Sequence, residues 1–398
     1  MVLPFVVLLS CMAALPLACP QWWERHYAKV TFALAAVTVA YYVFGLPPAA
    51  MSTVAGTVRD YTGFIVLIAS LYVIAGGIHL RVNRPPTPGV NTLFLALGGL
   101  ASNALGTTGA AVLLIRPWLR LNRQRAAAHH VVFFIFIVCN AGGCLTPMGD
   151  PPLLVGFLKG VPFWWVLRHC WPMWLCSIAF LLGVFYFIDC RHQTNVAAVP
   201  VETGERWRFG GLWNLAFLAV VIAAMFLQKP FLGPGLMLAA AAGSYLTTGR
   251  ELREANQFSL RPMAEIAVLF FGVFATMMPA LDFLARPAFR EHLTVPHAYW
   301  SSGAMSAFLD SAPAYLAFFS AAKNGASGGF DAGIVAALSV ATVLFGAVTY
   351  IGNAPNLMVK SIADQQKIRT PSFLGYLFKW AVPVMLPLLL MLWIVFFR

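Results

Sequence analysis

Thr146-Pro147-Met148-Gly149-Asp150-Pro151-Pro152-Leu153 breaks an otherwise apolar run, and some two hundred residues later Gly352-Asn353-Ala354-Pro355-Asn356-Leu357 breaks another. Each break follows a shorter polar stretch. The first is Ser102-Asn103-Ala104-Leu105-Gly106-Thr107-Thr108, and the second is Leu309-Asp310-Ser311-Ala312-Pro313. Proline and glycine keep these segments from closing into helix. Irregular backbone at membrane depth is tolerated only where protein buries it or it lines a cavity. Two matched interruptions in corresponding positions are the sequence signature of a binding site in a repeat-built transporter.

The surrounding composition places these breaks in a membrane. The 398 residues are 60% hydrophobic and 10% charged, outside the range of ordinary soluble domains. Apolar stretches long enough to cross a bilayer recur from end to end, so the expected class is an all-α polytopic membrane protein. The net charge of +12 does not point to nucleic acid, because the basic residues sit in short loops where they set topology. The seven cysteines lie in or beside apolar spans without paired spacing and read as small buried hydrophobes. Residues 1–18 lack a basic leader and read as a spanning segment.

About ten crossings are predicted, at 2–18, 30–46, 60–80, 129–158, 162–188, 211–227, 231–248, 263–283, 333–362 and 376–397. The segments 90–118 and 296–323 are apolar but interrupted, which predicts two re-entrant helical hairpins. The crossings at 129–158 and 333–362 carry the Pro/Gly breaks and are predicted to be discontinuous helices. With the 81–91 loop cytoplasmic, sixteen basic residues fall inside and seven outside, which places both termini outside. The chain then divides into N-terminal helices (1–57), a first repeat (58–190), a cytoplasmic linker with two connecting helices (191–262) and a second repeat (263–398). Five crossings separate the starts of the two repeats. An odd number requires the repeats to be inverted.

A hairpin tip and a broken helix both leave backbone groups without intrahelical partners. Half-helix N-termini favour anions, whereas exposed carbonyls and side-chain oxygens favour cations. The candidate ion or substrate residues are therefore Ser102, Asn103, Thr107, Thr108, Asn140, Thr146, Pro147, Gly149, Asp150, Asp310, Ser311, Pro313, Gly352, Asn353, Pro355 and Asn356. A carboxylate at membrane depth is a functional candidate by default. Asp150 and Asp310 are the expected proton- or cation-coupling residues, with N-capping as the structural alternative. A sodium ion would find hard oxygen ligands at Ser102, Asn103, Gly149, Asp150, Asp310 and Asn353. No organic cofactor is expected. His129 and His130 read as a solvated loop end, and Arg116 to Arg125 as a topology determinant.

At these residues the chain resembles the ion-transporter superfamily, which includes sodium-coupled dicarboxylate and citrate carriers and a sodium/proton antiporter branch. Ser102-Asn103 with Thr107-Thr108 is similar to its Ser-Asn-Thr hairpin signature. Thr146-Pro147-x-Gly149-Asp150-Pro151-Pro152 and Gly352-Asn353-Ala354-Pro355-Asn356 are similar to its unwinding motif. The resemblance covers about residues 58 to 398. It implies an inverted-repeat fold, a homodimer and elevator-type movement of a transport domain that carries the hairpins, as in an inner (plasma) membrane carrier of bacteria.

The second tip, Asp310-Ser311-Ala312-Pro313, departs from that signature, and both it and Asp150 add negative charge. On this ground the expected activity is sodium/proton antiport. The alternative is a cation- or proton-coupled citrate or dicarboxylate symporter, in which half-helix N-termini cradle the anion. An intramembrane aspartyl protease has little support, since Pro147-Met148-Gly149-Asp150 lacks the Gly-x-Gly-Asp pattern and Asp310 follows leucine. No phosphate loop or His-Glu-x-x-His motif is present.

Overall fold

The computed structural model describes residues 2–81, 85–192, 208–227, 231–256, 258–284, 293–309, 311–322 and 330–398. The helices run α1 (Leu3–Ala18), α2 (Pro20–Phe44), α3 (Met51–Ala75), α4 (Pro88–Leu121), α5 (Ala128–Ile137), α6 (Pro151–Leu158), α7 (Trp165–Arg191), α8 (Trp213–Met225) and α9 (Leu232–Thr247). They continue as α10 (Arg250–Ala255), α11 (Arg261–Leu284), α12 (Val295–Leu309), α13 (Ser311–Ala322), α14 (Ala332–Phe345), α15 (Ala354–Gln365) and α16 (Phe373–Phe397). One departure from an all-helical chain is a short antiparallel ribbon, His79–Arg81 against Arg208–Gly210.

Six helical stretches among the described residues are long and apolar enough to cross a membrane. They are Gln21–Phe44, Pro48–Ala75, Pro88–Leu121, Trp165–Arg191, Met263–Phe283 and Phe373–Phe397. The third of these does not run straight. Gly106 has φ 76° and ψ 151°, a conformation open to glycine, and the chain reverses there. Asn91 Nδ2 donates to Asn122 Oδ1 at 2.8 Å across the ends of α4. In a straight helix those residues would stand about 46 Å apart. The segment predicted as a hairpin over 90–118 is thus two antiparallel arms with Gly106 at the tip. In the second such segment α12 and α13 pack on each other, and the residue between them, Asp310, lies outside the described residues.

Helix α3 begins at Met51 rather than near residue 60 and ends at Ala75 rather than 80. Arg59 and Asp60 lie on its exposed face, so the helix extends beyond the apolar window that marks it in sequence. The run 129–158 is helical at α5, irregular from Val138 to Asp150 and helical again at α6. The run 333–362 is likewise α14, an irregular stretch and α15.

Beyond the two histidines that begin α5 and the exposed first turn of α14, both helices are largely apolar and buried on every side, which makes them central struts. Around them the packing is reciprocal. Helix α6, from the first break, lies against α13 of the second hairpin, and α15, from the second break, lies against α4 of the first. Helices α3, α8 and α9 form a separate group around Leu71, Ile74, Leu218, Val221 and Met237. Between helices in lipid, apolar burial supplies little driving force, and interhelical hydrogen bonds contribute roughly 0.6–2 kcal/mol each. Close packing and satisfied polar contacts at the breaks therefore carry the arrangement.

Candidate substrate and ion site

The two breaks are held by the same set of bonds at nearly constant sequence offset. Ser102 Oγ reaches Val138 O at 2.8 Å, and Ser306 Oγ reaches Thr342 O at 2.5 Å. Thr146 Oγ1 donates to Asn103 O, as Thr349 Oγ1 does to Ala307 O. The same two hydroxyls accept from Gly149 N at 3.1 Å and Gly352 N at 3.0 Å. A Cβ on Gly149 would stand 2.0 Å from Gly143 O, and one on Gly352 would stand 2.6 Å from Gly346 O. Only glycine fits these two crossings of backbone.

This register aligns the two hairpins. Asn103 corresponds to Ala307, and Thr107 to Ser311. The same offset carries Gly106, not Asn103, to position 310. The element that the two hairpins share is the serine and threonine scaffold.

Asp150 and Asn353 occupy equivalent positions in the two breaks and meet. Asp150 is buried, at 1% exposure. Its Oδ1 accepts from Thr107 Oγ1 at 2.7 Å and from Asn353 Nδ2 at 3.2 Å, and Ser311 Oγ stands 3.5 Å from its Oδ2. Asp150 is the N-cap residue of α6, yet its side chain makes no capping bond. The carboxylate points across the molecule instead. Capping alone does not account for it.

Asn140 ties the same two breaks together. Its Nδ2 donates to Asn356 Oδ1 at 2.8 Å and to Ile135 O at 2.8 Å, and its Oδ1 lies 3.2 Å from Asn353 Nδ2. Asn356 Nδ2 donates to Gly346 O and Thr349 O. Asn353 Nδ2 also reaches Cys139 O at 3.0 Å, which fixes the amide orientation, because the reverse would face three acceptors. Asn353 Oδ1 is then left buried with no partner. The Asn353 amide presents its Nδ2 to the carboxylate, and the oxygens gathered at one point are the Asp150 carboxylate and the Thr107 and Ser311 hydroxyls, hard ligands of the kind a small cation takes.

Other sequence candidates take different places. Asn103 Oδ1 accepts from Leu145 N at 3.0 Å, so its side chain braces the break. Ser102 Oγ bonds backbone carbonyls and Thr146 bonds Asn103, away from the carboxylate. Thr108 lines a cavity of about 30 Å³ with Thr107, Gly149, Asp150 and Leu71. That volume holds a water or two, or a small cation, and is too small for a carboxylate anion of citrate size. Pro147 lies in the irregular stretch, and Pro355 is the second residue of α15. Ser311, the first residue of α13, stands near Asp150, two residues before Pro313 in the chain. Asp310 lies outside the described residues.

The half-helix N-termini offer an anion few donors. Pro151 and Pro152 open α6 and have no N–H, and Leu153 N already bonds Asp150 O. Pro355 is the second residue of α15, and Asn356 N bonds Asn353 O. The site is built around a carboxylate and oxygens rather than around free amides.

Two groups of charged residues were missed in sequence. His129 and His130 are buried, not solvated. They stand with Arg125 and Asn91 around Asp189, with His129 Nε2 3.0 Å and His130 Nε2 3.3 Å from Asp189 Oδ1. The three acid and imidazole groups come close enough to hold a metal, but the Arg125 guanidinium takes the same carboxylate oxygen, so the cluster is an ion-pair network. Arg116 is also buried, at 3% exposure, and does not belong to an exposed topology loop. The one sequence cue was its position in the apolar run 110–119, immediately before Pro117.

Several apolar helices of crossing length, packed around two buried polar breaks, define a polytopic integral membrane protein. Residues 1–397 match the family model CitMHS_2, described as "Putative citrate transport", and the chain belongs to that family, within the ion-transporter superfamily. It is accordingly a membrane transporter and not an enzyme. No curated protein matches the chain.

Proposed function

We propose that this chain is a secondary carrier of citrate or a related di- or tricarboxylate, driven by a cation or proton that binds at Asp150. Family membership favours this reading over the sodium/proton exchange expected from the acidic motifs. The observation that carries the coupling role is the buried Asp150 carboxylate, approached by the Thr107 and Ser311 hydroxyls of the two hairpins and by the Asn353 amide of the other break. A bound Na+ would gain an acceptor set there, and a proton would neutralise the carboxylate. Either ion would offset negative charge as an anion approaches.

The recurring bonds of the two breaks support an inverted repeat, with α3–α7 as one unit and α11–α16 as the other. The two hairpins then enter and leave the membrane on one side each. The reciprocal packing of α6 on α13 and α15 on α4 supports a body that moves as one unit against α3, α8 and α9, in elevator fashion. A homodimer and a plasma-membrane location with both termini outside complete the reading.

The test is uptake of radiolabelled citrate into liposomes that hold the purified protein, with sodium and pH gradients imposed separately. Citrate accumulation that follows one gradient supports the reading. Sodium-evoked proton movement without citrate would return the assignment to antiport.

A further inference from the structure

Arg116 lies on the second arm of the first hairpin, buried at 3% exposure, and its Nη1 has no hydrogen-bond partner. Among the described residues no carboxylate pairs with it. The Tyr72 ring centroid lies 5.9 Å from its Cζ, and the Tyr72 hydroxyl, which donates to Ser259 O at 2.6 Å, offers the guanidinium its oxygen as a neutral acceptor. A buried guanidinium that has a neutral acceptor but no counter-charge among the described residues is unfavourable, and inside a membrane protein it marks a functional site.

The guanidinium sits on the same helical seam as the Asp150 cavity. A Cβ on Gly109 would lie 3.8 Å from Leu71 Cδ2, so that face of the arm meets α3. Gly109 and Arg116 are two turns apart and share the face. Leu71 lines the cavity together with Thr107, Thr108 and Asp150. Arg116 follows Thr108 by about 12 Å of helix, and side chains on a helix lean toward its N-terminal end, here the cavity end.

A second guanidinium borders the seam. Arg253 is 8% exposed, with Nε unpartnered and its Nη groups on the backbone oxygens of Val73 and Ser244. Its Cζ lies 4.8 Å from the Phe258 ring, which packs 5.4 Å from Tyr72. Among the described residues neither arginine pairs with an acid. The half-helix N-termini have spent or lost most of their amides, so an anion needs a positive group from elsewhere.

We propose that Arg116 binds one carboxylate of the transported anion on its passage between the Asp150 cavity and the Arg125 end of the hairpin. Arg116 would thereby select di- and tricarboxylates over monocarboxylates. This inference rests on the carboxylate-carrier reading. A planar guanidinium with a free edge forms the two-point contact that a carboxylate accepts, which an ammonium does not reproduce.

The experiment compares wild-type protein with R116Q and R116K in liposomes, using initial rates of radiolabelled citrate uptake. Thermal stability of the purified proteins is measured with citrate, succinate and acetate. The expected result is a KM for citrate raised about 10–100-fold in R116Q, with the saturated rate within about threefold of wild type. R116K falls between the two. Citrate stabilises wild type more than acetate does, and R116Q loses that difference.

A wild-type KM in R116Q, or a lower saturated rate at unchanged KM, overturns the inference while leaving citrate transport standing. If R116Q does not fold, R116K decides, and an unchanged KM there overturns it. If wild type takes up no citrate, the carrier reading fails. The anion site then stands only if the citrate-dependent stabilisation is present in wild type and lost on substitution, and no such stabilisation overturns both.

Discussion

Asn353 Nδ2 stands 3.2 Å from Asp150 Oδ1, joining two residues that hold equivalent places in breaks 203 positions apart. One side chain is an ionisable carboxyl and the other a neutral amide, so the two halves build one asymmetric centre. Thr107 and Ser311, another equivalent pair, approach the same carboxylate from the two hairpins. Movement of either hairpin against either break alters the surroundings of a single charge.

Removing that charge should uncouple transport while sparing the fold. Asp150→Asn keeps the size of the side chain and an acceptor for Thr107. Gradient-driven citrate accumulation should fall at least about 100-fold, while the melting temperature in detergent changes by only a few degrees. Accumulation is read by radiolabel, stability by intrinsic tryptophan fluorescence.

Thr107 gives a graded version of the same test. Thr107→Val removes a hydrogen bond to a charged group, a contribution of about 1.5–3 kcal/mol, whereas Thr107→Ser keeps the hydroxyl. The concentration of coupling cation or proton for half-maximal uptake should shift roughly 10–100-fold in the valine variant and within about threefold in the serine variant.

Asn353→Ala leaves Cys139 O and Asn140 Oδ1 without the amide they share with Asp150. Unsatisfied buried acceptors cost about 1–3 kcal/mol. A lower melting temperature is expected together with lost cation dependence. A stability change alone, with cation dependence intact, would separate bracing from ion binding.

Gly149→Ala is a structural prediction. The added Cβ would stand 2.0 Å from the Gly143 carbonyl oxygen, a backbone atom that cannot swing away. Correctly folded protein should be nearly absent in size-exclusion chromatography. Gly183→Ala, where a Cβ meets nothing within 4 Å, should behave as wild type.

The buried ion-pair network near the ends of the first hairpin and α7 predicts a pure stability effect. Asp189→Ala strands Arg125 beside His129 and His130, with side chains 6% or less exposed. Removing one partner of such a pair costs about 3–5 kcal/mol. The melting temperature should fall sharply, while the citrate KM of protein that remains folded stays close to wild type.

The breaks were legible because proline, glycine and short polar residues have one physical meaning inside apolar sequence. The reversal at Gly106 and the unwound runs before α6 and α15 follow from it. The meeting of Asp150 with Asn353 was not legible, because contact across the two halves depends on tertiary packing. Asp189 is separated from His129 by sixty positions, and nothing local marks the pairing. Arg116 was assigned to topology because basic residues beside apolar spans usually serve that role. Only burial distinguishes it. Asp310 drew attention as an acid at a polar tip, while the bonds of Ser306 and Thr349 set the register of the second hairpin.

The most direct test of the account is citrate uptake by wild-type and Asp150→Asn protein in the same liposome preparation, under an imposed ion gradient and under citrate counterflow. The account predicts gradient-driven accumulation in wild type and none in the variant, with citrate binding retained by both in a fluorescence titration. Accumulation by Asp150→Asn at the wild-type level would contradict the coupling role of the carboxylate. Ion exchange by wild type without any citrate would contradict the carrier reading itself.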